Sequence, residues 1–238
     1  DGTNIEIALA TWDLARDFKA RIREPIRFLA HIDDPQVCEL FTNSNVFRET
    51  GDKFEASVFS VHRNAARRLL LEHPLEPDPF LAADPRRVHL VIAGFGMIGQ
   101  RVALQAVRTG CFANGKPLRI TVIDRDVNPA RRSFLEQYPA FDRLCEVDFI
   151  DGDVASPGMG QRIGSWVEDK QTVTSLVFCS DDDWRNTHST LSVVPLLGSP
   201  GPRIFVHLAE RHSVASLLQQ PHTHGMSTSP IHVFGALE

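Results

Sequence analysis

The sequence predicts an α/β protein built on a doubly wound parallel sheet, and three observations predict it. Apolar runs of strand length alternate with amphipathic helical stretches along most of the 238 residues. One apolar run, Val88–Ala93, leads straight into Gly94-Phe95-Gly96-Met97-Ile98-Gly99 and then a helix pattern, the order that a dinucleotide fold requires. The chain also repeats itself, residues 1–60 against 183–235, in the order and type of its elements.

Taken in order, residues 5–22 read as a helix, with Ile5, Ala8, Leu9, Trp12, Leu14 and Phe18 at near-helical spacing, and Glu24-Pro25 ends it. Ile26–Ile32 reads as a strand, 35–41 as a short helix and 56–61 as a strand. His62–His73 is a helix stopped by Pro74. Leu75–Arg87 carries three prolines and reads as a linker. Beyond it, strands are expected at 88–93, 118–124, 146–150, 174–179, 203–209 and 231–236. Helices are expected at 97–109, 128–137, 159–168, 184–196 and 211–219. Residues 88–236 then form a complete Rossmann-like unit. Residues 1–74 form the second half of a preceding unit plus a crossover helix.

The repeat aligns Asn4 with Asn186, His31 with His207, and Val58-Phe59-Ser60 with Val233-Phe234-Gly235. The paired histidines suggest a shared packing role. A half sheet leaves an edge and a face that need covering. Asp1-Gly2-Thr3-Asn4 without a Met, and the closing Leu237-Glu238, read as the ends of a piece cut from a longer protein.

Composition narrows the function classes. The chain is 42% hydrophobic and 23% charged, so it can bury a core. A net charge of −5 and the lack of any basic block argue against nucleic-acid binding, the pairs Arg67-Arg68 and Arg131-Arg132 reading as helix surface. No apolar run reaches the about 18 residues of a membrane span. Cys38, Cys111, Cys145 and Cys179 are widely spaced and form no CxxC pair, which predicts reduced thiols and a cytoplasmic location.

The candidate binding residues surround the glycine turn. Gly94 permits a tight turn, Gly96 a close approach to a pyrophosphate, and Gly99 close packing of the helix, whose N-terminus offers free N–H groups and a positive dipole end. Asp124 ends the next strand, a little beyond the usual separation of about 20 residues. There it would hold ribose hydroxyls and favour NAD over NADP, with Arg125 beside it working the other way. The alternatives are a merely structural glycine turn and a strand-end Asp that caps a turn. Asp181-Asp182-Asp183 reads as a helix N-terminus or as a divalent-cation site such as one for Ca²⁺. His222-Thr223-His224 reads as a solvated turn, with metal ligation as its alternative.

These residues resemble the RCK family, the regulators of potassium conductance, which includes the nucleotide-binding domains of Trk-type potassium-uptake subunits. The resemblance rests on VIAGFGMIGQ at 91–100, VID at 122–124, Gly152-Asp153, and Asp182-Asp183-Trp184-Arg185-Asn186 after the fourth strand, where the family carries a DDxxN pattern. It covers one complete N-terminal lobe and the tail of another. Two departures are a second copy that stops at its sixth strand and extra Gly and Pro in the loop 151–173. The resemblance implies that Gly94, Gly96 and Gly99 cradle phosphates, within a cofactor-binding stretch that also includes Phe95, Met97 and Ile98. It further implies that Asp124 holds the ribose, with Arg125 beside it at the cofactor, that Gly152 and Asp153 flank the adenine, and that Ser180 and Asp182 border the ligand. It implies NAD(H) as ligand, with ATP, ADP or AMP as alternatives. The implied partners are other lobes, in a homo-oligomer or tandem pair, and a membrane pore of the parent assembly.

Three functions are expected from this reading: a nucleotide-sensing regulatory module for potassium transport, an NAD(P)-dependent oxidoreductase, and a structural assembly module with a vestigial site. Against catalysis, Tyr138 is the only tyrosine, and Asp142 stands where a short-chain dehydrogenase needs lysine. No GxSxG, HExxH or P-loop pattern occurs.

Overall fold

The computed structural model describes residues 2–17, 24–44, 54–198, 201–209, 218 and 231–235. The chain divides into two compact units, Asp1–Asn64 and Ala65–Glu238.

The first unit contains α1 (Gly2–Asp17), β1 (Ile26–His31), α2 (Pro35–Thr42) and β2 (Phe54–Phe59). Ala8 and Ala15, two helical turns apart on α1, are both buried, with Ala30, Ile32, Phe41 and Phe54. Pro35 sits in the first turn of α2, and the Asp34 carboxylate caps that turn by accepting from Gln36 N at 2.8 Å and Val37 N at 3.1 Å. β1 and β2 pair in parallel from Ile26–Phe54 to His31–Phe59. Leu29 on β1 is 68% exposed, as a half sheet lacking cover on one face requires.

α3 (Val61–Glu72) carries the boundary between the units. Its later residues Ala66, Leu69 and Leu70 join the core of the second unit. The segment 75–87, expected as a linker, joins that core too: Leu75 and Phe80 are buried, and the Phe80 ring lies 5.9 Å from that of Phe112. The Arg203 guanidinium donates to the Pro74 and Leu75 carbonyls and fixes the start of the segment. Its prolines break helices and strands, but its apolar residues still find a core.

The second unit is the doubly wound sheet. It contains β3 (Arg87–Ala93), α4 (Met97–Thr109), β4 (Arg119–Asp124), α5 (Val127–Gln137), the one-turn α6 (Phe141–Leu144) and β5 (Glu146–Asp151). After these come α7 (Pro157–Glu168), β6 (Thr172–Phe178), α8 (Asp183–Val193), a 3₁₀ turn at Val194–Leu196, β7 (Arg203–His207) and β8 (Ile231–Phe234). All six strands are parallel, in the order β5-β4-β3-β6-β7-β8. Alternation along β3 serves two cores. Val88, Leu90 and Ile92 pack with α4 and α5, and Val91 and Ala93 pack with α7 and the end of α8. The short α6 was not expected. The helix expected over 184–196 becomes 3₁₀ at Val194–Leu196, where Pro195 cannot donate the next helical hydrogen bond. The helix expected at 211–219 lies outside the described residues except for Leu218, which is buried in the second core.

The repeat is visible in the bonding. Asn4 Nδ2 donates to the His31 carbonyl at 2.8 Å, and Asn186 Nδ2 donates to the His207 carbonyl at 2.9 Å. Ile32 N bonds Phe59 O at 2.9 Å, and Leu208 N bonds Phe234 O at 3.0 Å. In both copies the histidine is paired with the phenylalanine across a parallel ladder.

His89 is a buried base on β3, 1% exposed, with Nε2 at 2.8 Å from Thr121 Oγ1 and its ring edge-on to Trp166. Burial, aided by Arg119 and Arg87, lowers its pKa to about 4 from 6.5. Above pH 6.5 both folded and unfolded chains hold it neutral. As pH falls below 6.5 the unfolded chain takes a proton that the folded one refuses, and stability declines until about pH 4. The expected loss is roughly 3 kcal/mol. Urea midpoints recorded from pH 7 to 4 should drop, and His89→Gln should flatten that drop. An equal slope in the variant contradicts this origin.

Candidate functional site

The crossover from β5 to β6 reverses the direction of winding next to β3, and at that point the carboxyl ends of β3 and β6 diverge. An open cleft of about 350 Å³, counting its solvent-facing mouth, lies there. Its lining comes from the ends of β3 (Ala93, Gly94), β4 (Ile123, Asp124, Arg125), β5 (Gly152, Asp153, Val154) and β6 (Phe178, Ser180), and from α8 (Arg185, Asn186, Ser189).

Gly94 leaves β3 with φ +101°, and its N–H bonds the Ile123 carbonyl at 2.9 Å. A Cβ there would meet Ser180 N at 2.5 Å, so both conformation and space demand glycine. At Gly99 a Cβ would lie 2.2 Å from the Gly94 carbonyl oxygen, so the helix seats on the turn itself. Gly96 differs. Its backbone, at φ −72°, is ordinary, and what stands where a Cβ would go is the Asp181 carboxylate, 2.5 Å away. No side chain caps α4 at Gly96. The first-turn N–H groups therefore keep their capacity to bind an anion, and the carboxylate beside them resembles one.

Asp124 ties the turn to the sheet. Its Oδ2 accepts Phe95 N at 2.6 Å and its Oδ1 accepts Asp126 N at 3.1 Å. Arg125 pairs with Asp153, whose other oxygen accepts Ala155 N at 3.0 Å. Burial acts to raise the Asp153 pKa, but the Ala155 N–H, Arg125 and Arg185 outweigh it and hold it below the ordinary carboxylate value. Two cations thus face two carboxylates around the mouth.

Of the expected residues, Gly94, Asp124, Arg125, Gly152, Asp153 and Ser180 line the cleft together. Gly96, Met97 and Gly99 form the adjoining turn and helix start. The side chains of Phe95 and Ile98, each 1% exposed, point into the core instead. Phe95 packs edge-on to Phe134 at 5.0 Å and Phe149 at 5.4 Å, so only its backbone serves the site. Asp182 caps α8, accepting from Trp184 N at 2.8 Å and Arg185 N at 3.3 Å. Asp183 accepts Ala209 N at 2.9 Å. The Asp181–Asp183 run therefore acts as a helix start, and its carboxylates do not converge as cation ligands among the described residues. His222 and His224 lie outside the described residues.

Arg185, Asn186 and Ser189 are the residues that sequence reasoning left out of the site. The DDxxN pattern drew attention to Asn186, and helical spacing places Ser189 one turn later on the same face. Asn186 is 2% exposed and uses its whole amide. Oδ1 accepts Ser180 N at 2.7 Å and Ser180 Oγ at 2.8 Å, while Nδ2 donates to the Ser180 and His207 carbonyls, each at 2.9 Å.

Comparison with protein-family models, curated proteins and solved structures gives no match.

Replacing Asn186 by Ala strands buried backbone groups of Ser180 and His207. Its expected cost to the second unit is roughly 3 kcal/mol, read as a lowered urea midpoint, against about 1 kcal/mol for Asn4→Ala in the first. Equal effects would contradict the difference in bonding. Removing the Asp181 carboxylate should tighten binding of a phosphate-bearing ligand about tenfold, since a like charge at the helix N-terminus disappears. Titration calorimetry of Asp181→Ala against the parent chain measures this.

Proposed function

We propose that the second unit is a nucleotide-sensing regulatory module of RCK type, acting on a potassium channel or uptake system from the cytoplasmic side. The observation that carries the reading is the cleft at the reversal point of the sheet, with an uncapped helix N-terminus on one rim and Asp124 bound to the turn on the other. The residues suit an adenine nucleotide, with NAD(H) first and ATP, ADP or AMP after it. The N–H groups from Met97 onward take phosphate, and Asp124 takes ribose hydroxyls through its remaining acceptor capacity. The Gly152-Asp153 corner borders the base. Arg185 supplies a counter-charge, and the Asp181 carboxylate yields its place. The resemblance at 91–100, 122–124, 152–153 and 182–186 extends the reading to potassium transport and to assembly with other lobes.

Signalling would proceed by population shift. Ligand bridging the 94–99 turn and the β5 corner favours one arrangement of neighbouring lobes, and differential affinity sets how far the equilibrium moves. At the cleft the Arg125 guanidinium is paired with Asp153, and Arg101 on α4 donates to the Tyr138 hydroxyl at 3.1 Å.

Titration calorimetry with NADH, NAD, ATP, ADP and AMP should give saturable binding for at least one, abolished by Gly96→Asp, which adds a second carboxylate beside Asp181. Failure of all five overturns the sensor reading. Robust NADH turnover against a panel of carbonyl substrates overturns it in favour of an oxidoreductase.

A further inference from the structure

The first unit holds a second chemical cluster, remote in sequence from the glycine turn. His31 ends β1, Asp33 lies two residues on, and His62 is in the first turn of α3. His31 Nε2 stands 2.7 Å and His62 Nδ1 2.9 Å from the same oxygen, Asp33 Oδ2. The ligand-type atoms of all three lie within 4.8 Å of one another, and no other such group occurs among the described residues.

The alignment of these atoms matters more than their distance. Both ring nitrogens are buried, and neither makes an aligned hydrogen bond with that oxygen or any other group. Two N–H groups donating to a carboxylate would point at it. Two buried ring nitrogens left without a hydrogen bond beside one carboxylate oxygen are a donor set that a metal ion can take up. The separations of 2.7 and 2.9 Å are shorter than the about 3.4 Å between ligands of a tetrahedral ion that holds each at about 2.1 Å, so the ring nitrogens and the carboxylate oxygen would spread by roughly half an ångström to admit one.

Supporting contacts fix the ligands. Ser60 Oγ donates to Asp33 Oδ1 at 2.5 Å, and Ser60 Oγ also accepts Arg63 N at 3.1 Å. The His31 ring stacks on Phe59 at 5.3 Å. Such outer contacts are what hold metal-ligating side chains in place.

The internal repeat supplies an independent argument. His207 keeps the histidine of His31. Two residues on, however, Ala209 stands for Asp33, and two residues past the Ser60 equivalent, Leu237 stands for His62. A histidine needed only for packing explains His31 and His207 alike. It does not explain why one copy alone adds a carboxylate and a second imidazole that meet at that histidine.

We infer that His31, Asp33 and His62 form a binding site for a first-row divalent transition-metal ion of the zinc class. Two imidazoles with one carboxylate suit such an ion and disfavour Ca²⁺ and Mg²⁺, which take oxygen ligands. Three protein ligands leave a coordination position for water or an added group. The ion would pin the end of β1 to the start of α3.

The test titrates Co²⁺ into the metal-stripped 238-residue chain and follows its visible absorption, with Zn²⁺ as competitor. Saturable one-to-one binding is expected, weakened at least about 100-fold in Asp33→Asn and His62→Gln and about tenfold in Ser60→Ala. Circular dichroism without metal checks that each variant folds. As a second readout on the unaltered chain, Zn²⁺ should shift the ¹⁵N resonances of His31 Nε2 and His62 Nδ1 and leave those of His89 and His207 in place. The inference is overturned if no saturable binding occurs, if folded Asp33→Asn and His62→Gln bind as tightly as the parent, or if a His222→Ala/His224→Ala variant abolishes binding. It is also overturned if Zn²⁺ leaves the His31 and His62 resonances unmoved.

Discussion

The side-chain amide of Asn186 is the contact on which the architecture of the cleft depends. A parallel sheet ends with backbone groups that no further strand can satisfy, and at a reversal point two neighbouring strands lead their chains apart. Here β6 turns into α8 while β7 ends alongside, and one amide satisfies both: Ser180 on its donor and acceptor sides and His207 at its carbonyl. The amide saturates four hydrogen bonds in a nearly water-free position, so no other side chain of its size replaces it. It also forms part of the wall it creates. The wall then crowds Gly94, whose missing Cβ leaves room for Ser180 N. The glycine turn and the amide clamp are therefore two faces of one packing constraint.

The same economy governs Asp124. Its carboxylate holds Phe95 N at 2.6 Å, which ties the glycine turn to β4 before any ligand arrives. A ligand that drew on this carboxylate would act directly on the turn and the start of α4. That coupling is the property a sensor needs, because binding changes the free energy of an element that can move rather than of an inert surface. The Arg125–Asp153 pair adds a second tie between the β4 and β5 corners.

What the sequence disclosed, and what it hid, follows from the range of each interaction. Glycine at Gly94 and Gly99, the apolar alternation of β3 and the periodicity of α4 are local, and the sheet and the cleft at its carboxyl edge could be read from them. The asparagine equivalence of Asn4 and Asn186 was legible because a repeat doubles a weak signal. By contrast, Leu75 and Phe80 sit among prolines that suggested a linker, and only the cores formed by distant strands claim them. Phe95 lies inside the motif yet faces inward, because residues flanking a turn answer to the core behind it. Arg185 carries no motif of its own. The meeting of His31, Asp33 and His62 depends on the parallel pairing of β1 with β2, which brings the end of one strand beside the start of the helix that follows the other.

The two copies of the repeat show how one substitution redirects a shared histidine. In the second copy Gly235 adopts φ +97°, and the His207 ring lies where a Cβ would be, 2.3 Å from its position. The ring is 8% exposed and edge-on to Phe234 at 5.4 Å. In the first copy the corresponding position is Ser60, so that space is closed. His31 stacks more nearly flat on Phe59, with Nε2 2.7 Å from one oxygen of Asp33, whose other oxygen accepts from the Ser60 hydroxyl. A glycine in one copy thus lets a histidine be packed away, and a serine in the other leaves it turned toward a carboxylate. The strand, its partner and the asparagine clamp are common to both. What separates a packing residue from a candidate ligand is a few atoms at the corner after β2 and β8.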